Sequence, residues 1–258
     1  MFFRPQFGWL ASHPGKTAIL LCMNAAIFFA FTVLDVPAQK RFSRNFPAGQ
    51  NVRLQLLNKS GTVTVEGWNR QEIALTASLE APVAVIAPQM LEGTIFVNLV
   101  RDNQGREIGN VNFNIRVPYS SSVDIETLIG NLTVSNVRGG LVRAHISSEG
   151  DITLTDINAF TVTAQNGIGD IVFDGEMLSG GNYRFASIRG NISLRIPFTS
   201  SFKLVATAPS TRNISLGSFS SSGMNYLGDG RRVVGKFGDG SSTLTVTNQR
   251  GSISFIRR

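Results

Sequence analysis

The chain has 258 residues, a formal net charge of +7 and a single cysteine. This length allows one large or two small domains, and one cysteine excludes a disulfide framework. The lysines and arginines are scattered in short pairs without interleaved aromatic residues. This pattern favours a solvated surface and argues against a nucleic-acid partner.

The N-terminal segment predicts export across a membrane. Residues 17–34 carry no charge and are long enough, as one hydrophobic helix, to span a bilayer. Val36-Pro37-Ala38 resembles the small-residue site that signal peptidase cuts. We interpret 1–38 as a signal peptide or a membrane anchor, with residues 17–36 in the membrane if the segment is uncleaved. Either outcome makes the rest of the chain exported: periplasmic, cell-surface or membrane-anchored with the C-terminal domain outside the cytoplasm.

Residues 39–118 are predicted as a linker, 39–50, followed by an N-terminal β section, 51–118. In the β section, runs that alternate apolar and polar residues predict strands. Thr94–Val100 and Val111–Val117 predict a hairpin, joined across the turn residues Asp102–Gly105. We expect this section to cap the repeats that follow it, or to lead into them.

A five-residue phrase recurs in residues 119–258. It starts at Gly130, Gly150, Gly169 and Gly190, at spacings of 20, 19 and 21 residues. Such a period is typical of repeat proteins, whose units bury their apolar faces against their neighbours. In each phrase a turn residue precedes an apolar, a small polar and an apolar residue, as in a strand with one buried face. The phrases predict two inner rows, Leu132, Ile152, Ile171, Ile192, Ile214, Ile253 and Val134, Leu154, Phe173, Leu194, Leu216, Phe255, and one outer row, Thr133, Thr153, Val172, Ser193, Ser215, Ser254.

A longer repeat supports the same register. Arg116–Ile125 matches Arg195–Leu204 in residue class at every position, and the two segments lie 79 residues apart, or four periods. Each phrase is also preceded by a second strand-like run. We therefore predict an all-β fold, a single-chain β-solenoid (β-helix) of about 20-residue coils, with an N-terminal β section and one N-terminal hydrophobic helix. The Gly- and Ser-rich stretch 217–240 is predicted as a loop.

These motifs resemble those of the bacterial putative-adhesin family of β-solenoid domains of unknown function. The resemblance rests on V-P-Y-S-S-S-V-D-I from Val117, the repeated phrase, and the closing G-S-I-S-F from Gly251. It covers about residues 50–258. The resemblance implies export or membrane tethering in a bacterium and brings no catalytic residues with it.

Carboxylates are the best candidates for chemistry in the repeats. Asp151 and Asp170 hold the same position in adjacent repeats, so we expect them about 5 Å apart, the strand spacing. Such a pair suits acid/base catalysis or calcium binding. Asparagines hold the equivalent position in other repeats, which favours turn residues that bond local backbone. Asp156 and Asp174 are interpreted in the same way, as residues of a second corner.

The remaining candidates also favour structural roles. His145 lies in mid-strand and is predicted as an outward surface residue. Trp68, Tyr119, Tyr183 and Tyr226 are too widely spread along the chain to predict a sugar-binding platform. We therefore predict no catalytic, cofactor-binding or metal site, and no cofactor.

The sequence favours a non-enzymatic, exported cell-envelope module with an adhesin-like, binding or scaffold role. Its expected partner is an unidentified protein, glycan or surface of the envelope, and self-association through open ends of the stack is an additional expectation. Two alternatives stay open: a polysaccharide-acting β-helix enzyme, and an accessory or sensor protein of an envelope-stress system.

Overall fold

The computed structural model describes residues 40–49 and 51–258, which belong to the unit Gln39–Arg258. The predicted signal peptide or anchor, 1–38, lies outside the described residues. Among the helices in the described ranges, none has the length and apolarity needed to cross a membrane. The segment 39–50, predicted as a linker, contributes a strand, Lys40–Pro47, to the unit.

The described part of the chain is all-β, with one short helix, α1 (Leu99–Asp102), and one 3-10 turn (Gly217–Phe219). The strands of the first half are β1 (Lys40–Pro47), β2 (Arg53–Ser60), β3 (Val63–Trp68), β4 (Glu72–Leu79), β5 (Gln89–Leu91), β6 (Thr94–Asn98) and β7 (Val111–Pro118). Those of the repeats are β8 (Ser122–Ile129), β9 (Leu132–Ser135), β10 (Leu141–Glu149), β11 (Ile152–Ile157), β12 (Thr161–Ile168), β13 (Ile171–Gly175), β14 (Asn182–Arg189), β15 (Ile192–Ile196), β16 (Phe202–Thr207), β17 (Ile214–Ser215), β18 (Met224–Leu227), β19 (Arg232–Phe237), β20 (Ser242–Arg250) and β21 (Ile253–Arg257).

These strands form two large sheets. Sheet A has ten strands in the order β1-β4-β7-β3-β9-β11-β13-β15-β21-β17, and sheet B has eleven in the order β18-β19-β16-β20-β14-β12-β10-β8-β2-β6-β5. From β8 to β15 the chain alternates between the sheets, so each repeat adds one strand to sheet B and the next to sheet A. Neighbouring repeats pair in parallel. The inner faces of the sheets meet in one core, as in the pair Phe173 of sheet A and Phe185 of sheet B, whose ring centroids are 5.1 Å apart.

The predicted inner rows are confirmed over most of their length. Leu132, Ile152, Ile171 and Ile192 are in register and fully buried. The order of the last repeats differs from the prediction, because Ile253 of β21 lies between Ile192 and the equivalent residue of β17. In sheet B, β20 lies in the same way between β14 and β16. The final repeat of the chain is thus inserted into the stack.

Glycine occupies the corner that leads into the strands of the inner rows, except at β17, where Arg212 holds this position. Gly169 has φ of +132°, and a Cβ there would collide with the carbonyl group of Gly150 in the preceding repeat. The left-handed region favours glycine, so a side chain would add strain as well as a clash. Buried polar side chains bond the corner carbonyls: Asn166 Nδ2 donates to Gly150 O (2.7 Å), and Asn248 Nδ2 donates to Gly190 O (2.8 Å).

Two local predictions are wrong. β6 and β7 do not form a hairpin: β6 joins sheet B beside β2, and β7 joins sheet A between β4 and β3. Helix α1 directly follows β6 and directs the chain away from it. Asn98 caps this helix, because its Oδ1 accepts a hydrogen bond from Arg101 N–H (2.8 Å). The stretch 217–240, predicted as a loop, contains the antiparallel pair β18–β19. Its apolar residues explain this, because Phe219 and Phe237 pack with Phe202 in an aromatic cluster.

Antiparallel strands finish the parallel stack at three of its four sheet ends. In sheet A these are β1 and β4, and in sheet B they are β5 at one end and β18 with β19 at the other. The fourth end is β17, which has two residues. Short or reversed edge strands limit uncontrolled pairing with further strands.

Candidate binding surface

The outer face of sheet A carries an uncharged row of small polar side chains across all ten strands. Cross-strand register places one residue of each strand in this row. We call it the hydroxyl row, and its members are Ser43, Thr76, Asn114, Thr64, Thr133, Thr153, Val172, Ser193, Ser254 and Ser215. It contains the outer row predicted from the repeats and extends it by four strands.

Strand alternation holds the hydroxyl row at the surface. Thr153, for example, lies between Ile152 and Leu154, which are both fully buried. With strands about 4.8 Å apart, ten strands give a row about 43 Å long. The single apolar member, Val172, is 39% exposed. Ser193 and Ser254 bond each other through their hydroxyl oxygens (3.1 Å), which fixes their orientation in the row.

A ladder of polar side chains borders the hydroxyl row at the glycine corner. Asp170 N–H donates to Asp151 Oδ1 (2.8 Å), and Asn191 N–H donates to Asp170 Oδ1 (2.7 Å). The ladder begins with Asp151 N–H, which donates to Asn131 Oδ1 (2.9 Å), and ends with Ser252 N–H, which donates to Asn191 Oδ1 (3.1 Å). Asp151 and Asp170 therefore bond backbone, as predicted for turn residues, but the backbone of the next repeat rather than their own. One oxygen of each carboxylate is engaged in this way.

A charged row borders the hydroxyl row on its other side. Arg116 and Glu66 form an ion pair across β7 and β3 (3.2 Å), and Arg195 and Asp174 form another across β15 and β13 (3.8 Å). These pairs are largely exposed, so they add little stability. They do leave the surface beside the hydroxyl row close to neutral.

Three carboxylates converge on Arg258 at the end of β21. The guanidinium lies 2.8 Å from Asp156, 3.3 Å from Asp174 and 3.4 Å from Glu176. Asp156 has a φ of +52°, as expected for the predicted corner residue. The sequence did not predict the cluster, because its members are 102 residues apart. The guanidinium occupies the space between the carboxylates.

His145 lies on the outer face of sheet B, as predicted. Its side chain is 28% exposed, and its Nδ1 lies 3.8 Å from Glu126 Oε2. Among the described residues, no group of three or more His, Cys, Asp or Glu side chains is arranged to hold a metal ion.

The structure brings together two aromatics that the sequence separates. Tyr119 N–H donates to Trp68 O (3.1 Å), so these two residues are neighbours at the end of β3. Arginines stack on both: Arg70 lies 4.9 Å from the Trp68 ring centroid, and Arg138 lies 5.3 Å from that of Tyr119. Backbone contact thus brings these two residues together, which their spacing in the sequence did not indicate.

Tyr183 and Tyr226 have different surroundings. Tyr183 is fully buried, and its hydroxyl donates to Ala159 O (3.0 Å) and accepts from Leu178 N–H (2.7 Å). Burial raises its pKa above the usual value for tyrosine. This is the predicted core role. Tyr226 lies on β18 and is 52% exposed.

Similarity to known proteins is found among solved structures. No protein-family model and no curated protein matches the chain. A putative cell adhesion protein from Clostridium sporogenes is 12% identical over 85% of this chain and 100% of its own, with a TM-score of 0.49. A putative adhesin from Bacteroides fragilis (11% identity, 86% and 99% coverage, TM-score 0.36) and a putative lipid binding protein from Parabacteroides distasonis (9%, 85% and 97%, TM-score 0.32) are also similar. The chain is thus similar to bacterial proteins of this group, but at these identities and TM-scores the similarity carries no function over to this chain.

Proposed function

We propose that the protein is a non-enzymatic β-solenoid module, exported to the cell envelope, that binds an extended envelope partner through the hydroxyl row. In this proposal residues 51–118 form the N-terminal section and 119–258 the solenoid repeats. Residues 1–38 direct export, as a cleaved signal or as an anchor. The role is adhesin-like or scaffold-like.

One observation carries the proposal: ten strands present uncharged side chains at regular intervals on the outer face of sheet A. A hydroxyl can both donate and accept a hydrogen bond, as can each hydroxyl of a sugar. A chain with its own regular repeat can meet successive members of the row in equivalent ways. Many weak contacts then add up to one strong attachment. These features favour an uncharged polysaccharide.

Two threonines at the centre of the hydroxyl row provide the test. Thr133→Glu with Thr153→Glu replaces two hydroxyls by charged, longer groups on adjacent strands. We expect binding to envelope polysaccharides on a glycan array to fall by about tenfold or more, because desolvated charges meet uncharged sugars. Thr163→Glu, on the outer face of sheet B, is the matched control and should bind as the parent does. Equal binding by the double variant and the parent would contradict the proposal.

The carboxylate cluster around Arg258 favours a second candidate, a polysaccharide-acting enzyme. Glycoside hydrolysis requires two carboxyl groups on either side of the scissile bond, and here three lie around one guanidinium. The position of the guanidinium between them favours a structural ion-pair network. A glycan panel incubated with the full chain decides: turnover lost in Glu176→Gln or Asp174→Asn would establish the enzyme. Turnover abolished by Asp151→Asn or Asp170→Asn would instead locate catalysis at the corner ladder.

A further inference from the structure

Charge is distributed unevenly between the two ends of the molecule. Residues 182–258 contain 11 basic and 2 acidic residues, a net charge of +9, whereas residues 40–181 contain 11 basic and 14 acidic residues, a net charge of −3. Residues 182–258 form β14 to β21, which are contiguous in both sheets because the final repeat is inserted among them. The chain therefore has one strongly basic end.

Part of this basic charge lies on the outer face of sheet B. The outward positions of β14, β20, β16 and β19 are in register across four strands. Within these strands no outward position is acidic. We call this surface the cationic face; its outward residues are Asn182, Arg184, Ala186, Thr243, Thr245, Thr247, Lys203, Val205, Thr207, Arg232, Val234 and Lys236.

Like charges face each other on this surface. Lys203 and Lys236 are direct cross-strand partners on β16 and β19, and both side chains pass beside Gly240. At the adjoining corner Arg189 and Arg250 are also direct partners. Like charges placed opposite each other destabilise a sheet. Among the described residues, no carboxylate lies within ion-pair distance, 4.0 Å, of these four side chains.

The nearest acid in sequence does not neutralise the lysine pair. Asp239, in the turn after β19, accepts a hydrogen bond from Ser241 N–H (2.9 Å). Asp239 also feels the charge of Lys236, but as the weakest of the influences on its carboxyl group. The repulsion between the lysines is thus left to an external anion.

Exposed apolar side chains lie at the borders of the cationic face. Ile188, at the end of β14, is 60% exposed, and Leu227, on the edge strand β18, is 47% exposed. Leu227 pairs directly with the outward Arg232, so it lies on the same side of sheet B as the cationic face. A basic surface with exposed apolar side chains at its border suits a membrane, whose headgroups attract cations and whose interface accepts apolar groups.

We propose that the cationic face docks on a membrane surface of anionic phospholipids. The headgroup phosphates would lie between the opposed lysines and arginines, and Ile188 and Leu227 would enter the interface. The exposed Ile188 and Leu227 distinguish this partner from an acidic polysaccharide, which would match the cations but offers no apolar interface for these side chains. This proposal goes beyond the proposed function, because it assigns a second contact to a different sheet and holds whether or not the hydroxyl row binds a glycan.

The test uses the full chain with one reporter on the face. In a Cys22→Ser background, Thr245→Cys carries a fluorescent dye, and the protein is reconstituted into vesicles of phosphatidylcholine or of equal parts phosphatidylcholine and phosphatidylglycerol. We expect acrylamide quenching to fall about twofold or more in the anionic vesicles and to recover at about 1 M salt, where the Debye length is about 3 Å. The apolar N-terminal segment is the same in every sample and does not alter the comparison.

Matched variants separate docking from general charge. Lys203→Gln with Lys236→Gln should abolish the protection at Thr245, and Lys203→Arg with Lys236→Arg should retain it. Lys59→Gln with Arg106→Gln removes the same charge at the other end and should leave protection unchanged. Circular dichroism checks that each variant is folded.

Three results would overturn the docking proposal. The first is equal quenching at Thr245 in both kinds of vesicle. The second is equal protection of a dye at Gln55→Cys, which lies in the same cross-strand row on β2 but five strands away. The third is protection of Thr245 by a soluble acidic polysaccharide where anionic vesicles give none, which would assign the face to that class of partner.

Discussion

The outer face of sheet B has two halves, which differ in how their charged side chains are paired. On β2, β8 and β10, Asp124 is bound by both Arg53 (2.6 Å) and Arg143 (2.7 Å), and its side chain is only 7% exposed. The hydrogen bond that Arg143 donates to Asp124 raises the pKa of Arg143. On β14, β16 and β19, the cations face other cations or threonines.

This difference separates charges that stabilise the fold through ion pairs from charges that are available to a partner. In the Asp124 network one carboxylate pairs with both arginines, so the network resembles a structural ion pair and offers little to an anion. On the cationic face, repulsion between like charges destabilises the sheet, and among the described residues no ion pair offsets it at the opposed lysines and arginines. A surface of the second kind is therefore the better candidate for binding.

The largest effect is expected where the charges are paired. Asp124→Asn removes the carboxylate that Arg53 and Arg143 share. Because both arginine side chains are more than a third exposed, solvent screens their charges, and the free energy of unfolding should fall by about 1 to 2 kcal/mol. Urea denaturation of the full chain measures this. The same measurement on Arg184→Ala, in the cationic half, should give a change within about 0.5 kcal/mol. Similar losses in both variants would remove the distinction between the halves.

A gain in stability is expected where like charges meet. Lys203→Glu turns the pair with Lys236 into one of opposite charges, so the free energy of unfolding should rise by about 0.5 to 1 kcal/mol at low salt. The gain should shrink as salt screens the pair. Lys203→Glu combined with Lys236→Glu restores like charges and should lose the gain. A double variant as stable as the single one would show that the lysines do not repel each other.

The smallest effect concerns the acid beside the cationic face. Hydrogen bonds from Ser241 are the main cause that lowers the pKa of Asp239, and the charge of Lys236 contributes least. A lowered folded-state pKa contributes stability above the ordinary pKa of aspartate, which is lost as the pH falls through the folded value. Carboxyl titration by NMR should show a clear upward shift in Ser241→Ala and almost none in Lys236→Gln. The reverse order would mean that Lys236 is partly neutralised by Asp239.

The repeats made most of the core predictable. Alternation around each corner glycine places Ile152, Ile171 and Ile192 in the interior, and any other register would expose them. The outer row of threonines and serines follows from the same alternation. The role of Asp151 and Asp170 as backbone acceptors could also be predicted, because asparagines hold the equivalent corner positions.

The order of the last repeats could not be predicted. Judged by sequence, the strand containing Ile214 and the strand containing Ile253 could each pair with β15. Which of them does so depends on which is the longer strand. β21 has five residues to pair with β15, whereas β17 has two. Local turn signals failed for a related reason: the Asp102–Gly105 turn is real, but long-range pairing sends β6 and β7 to different sheets.

The binding surfaces were the least predictable part. In sequence the basic residues are scattered, and only strand order gathers them into one end. The Trp68–Tyr119 pair and the Arg258 cluster likewise depend on contacts between distant repeats. Composition reports the total charge of such a molecule but not its position.

Strands β20 and β21 lie between strands that precede them in the sequence. The order of strands in each sheet therefore differs from the order in which they are synthesised. A chain emerging N-terminus first can add each repeat to the one before it only as far as β15. β16 and β17 must then wait for their inner neighbours until β20 and β21 have been synthesised. A chain cut before β20 would therefore lack an internal pair of strands rather than a terminal one.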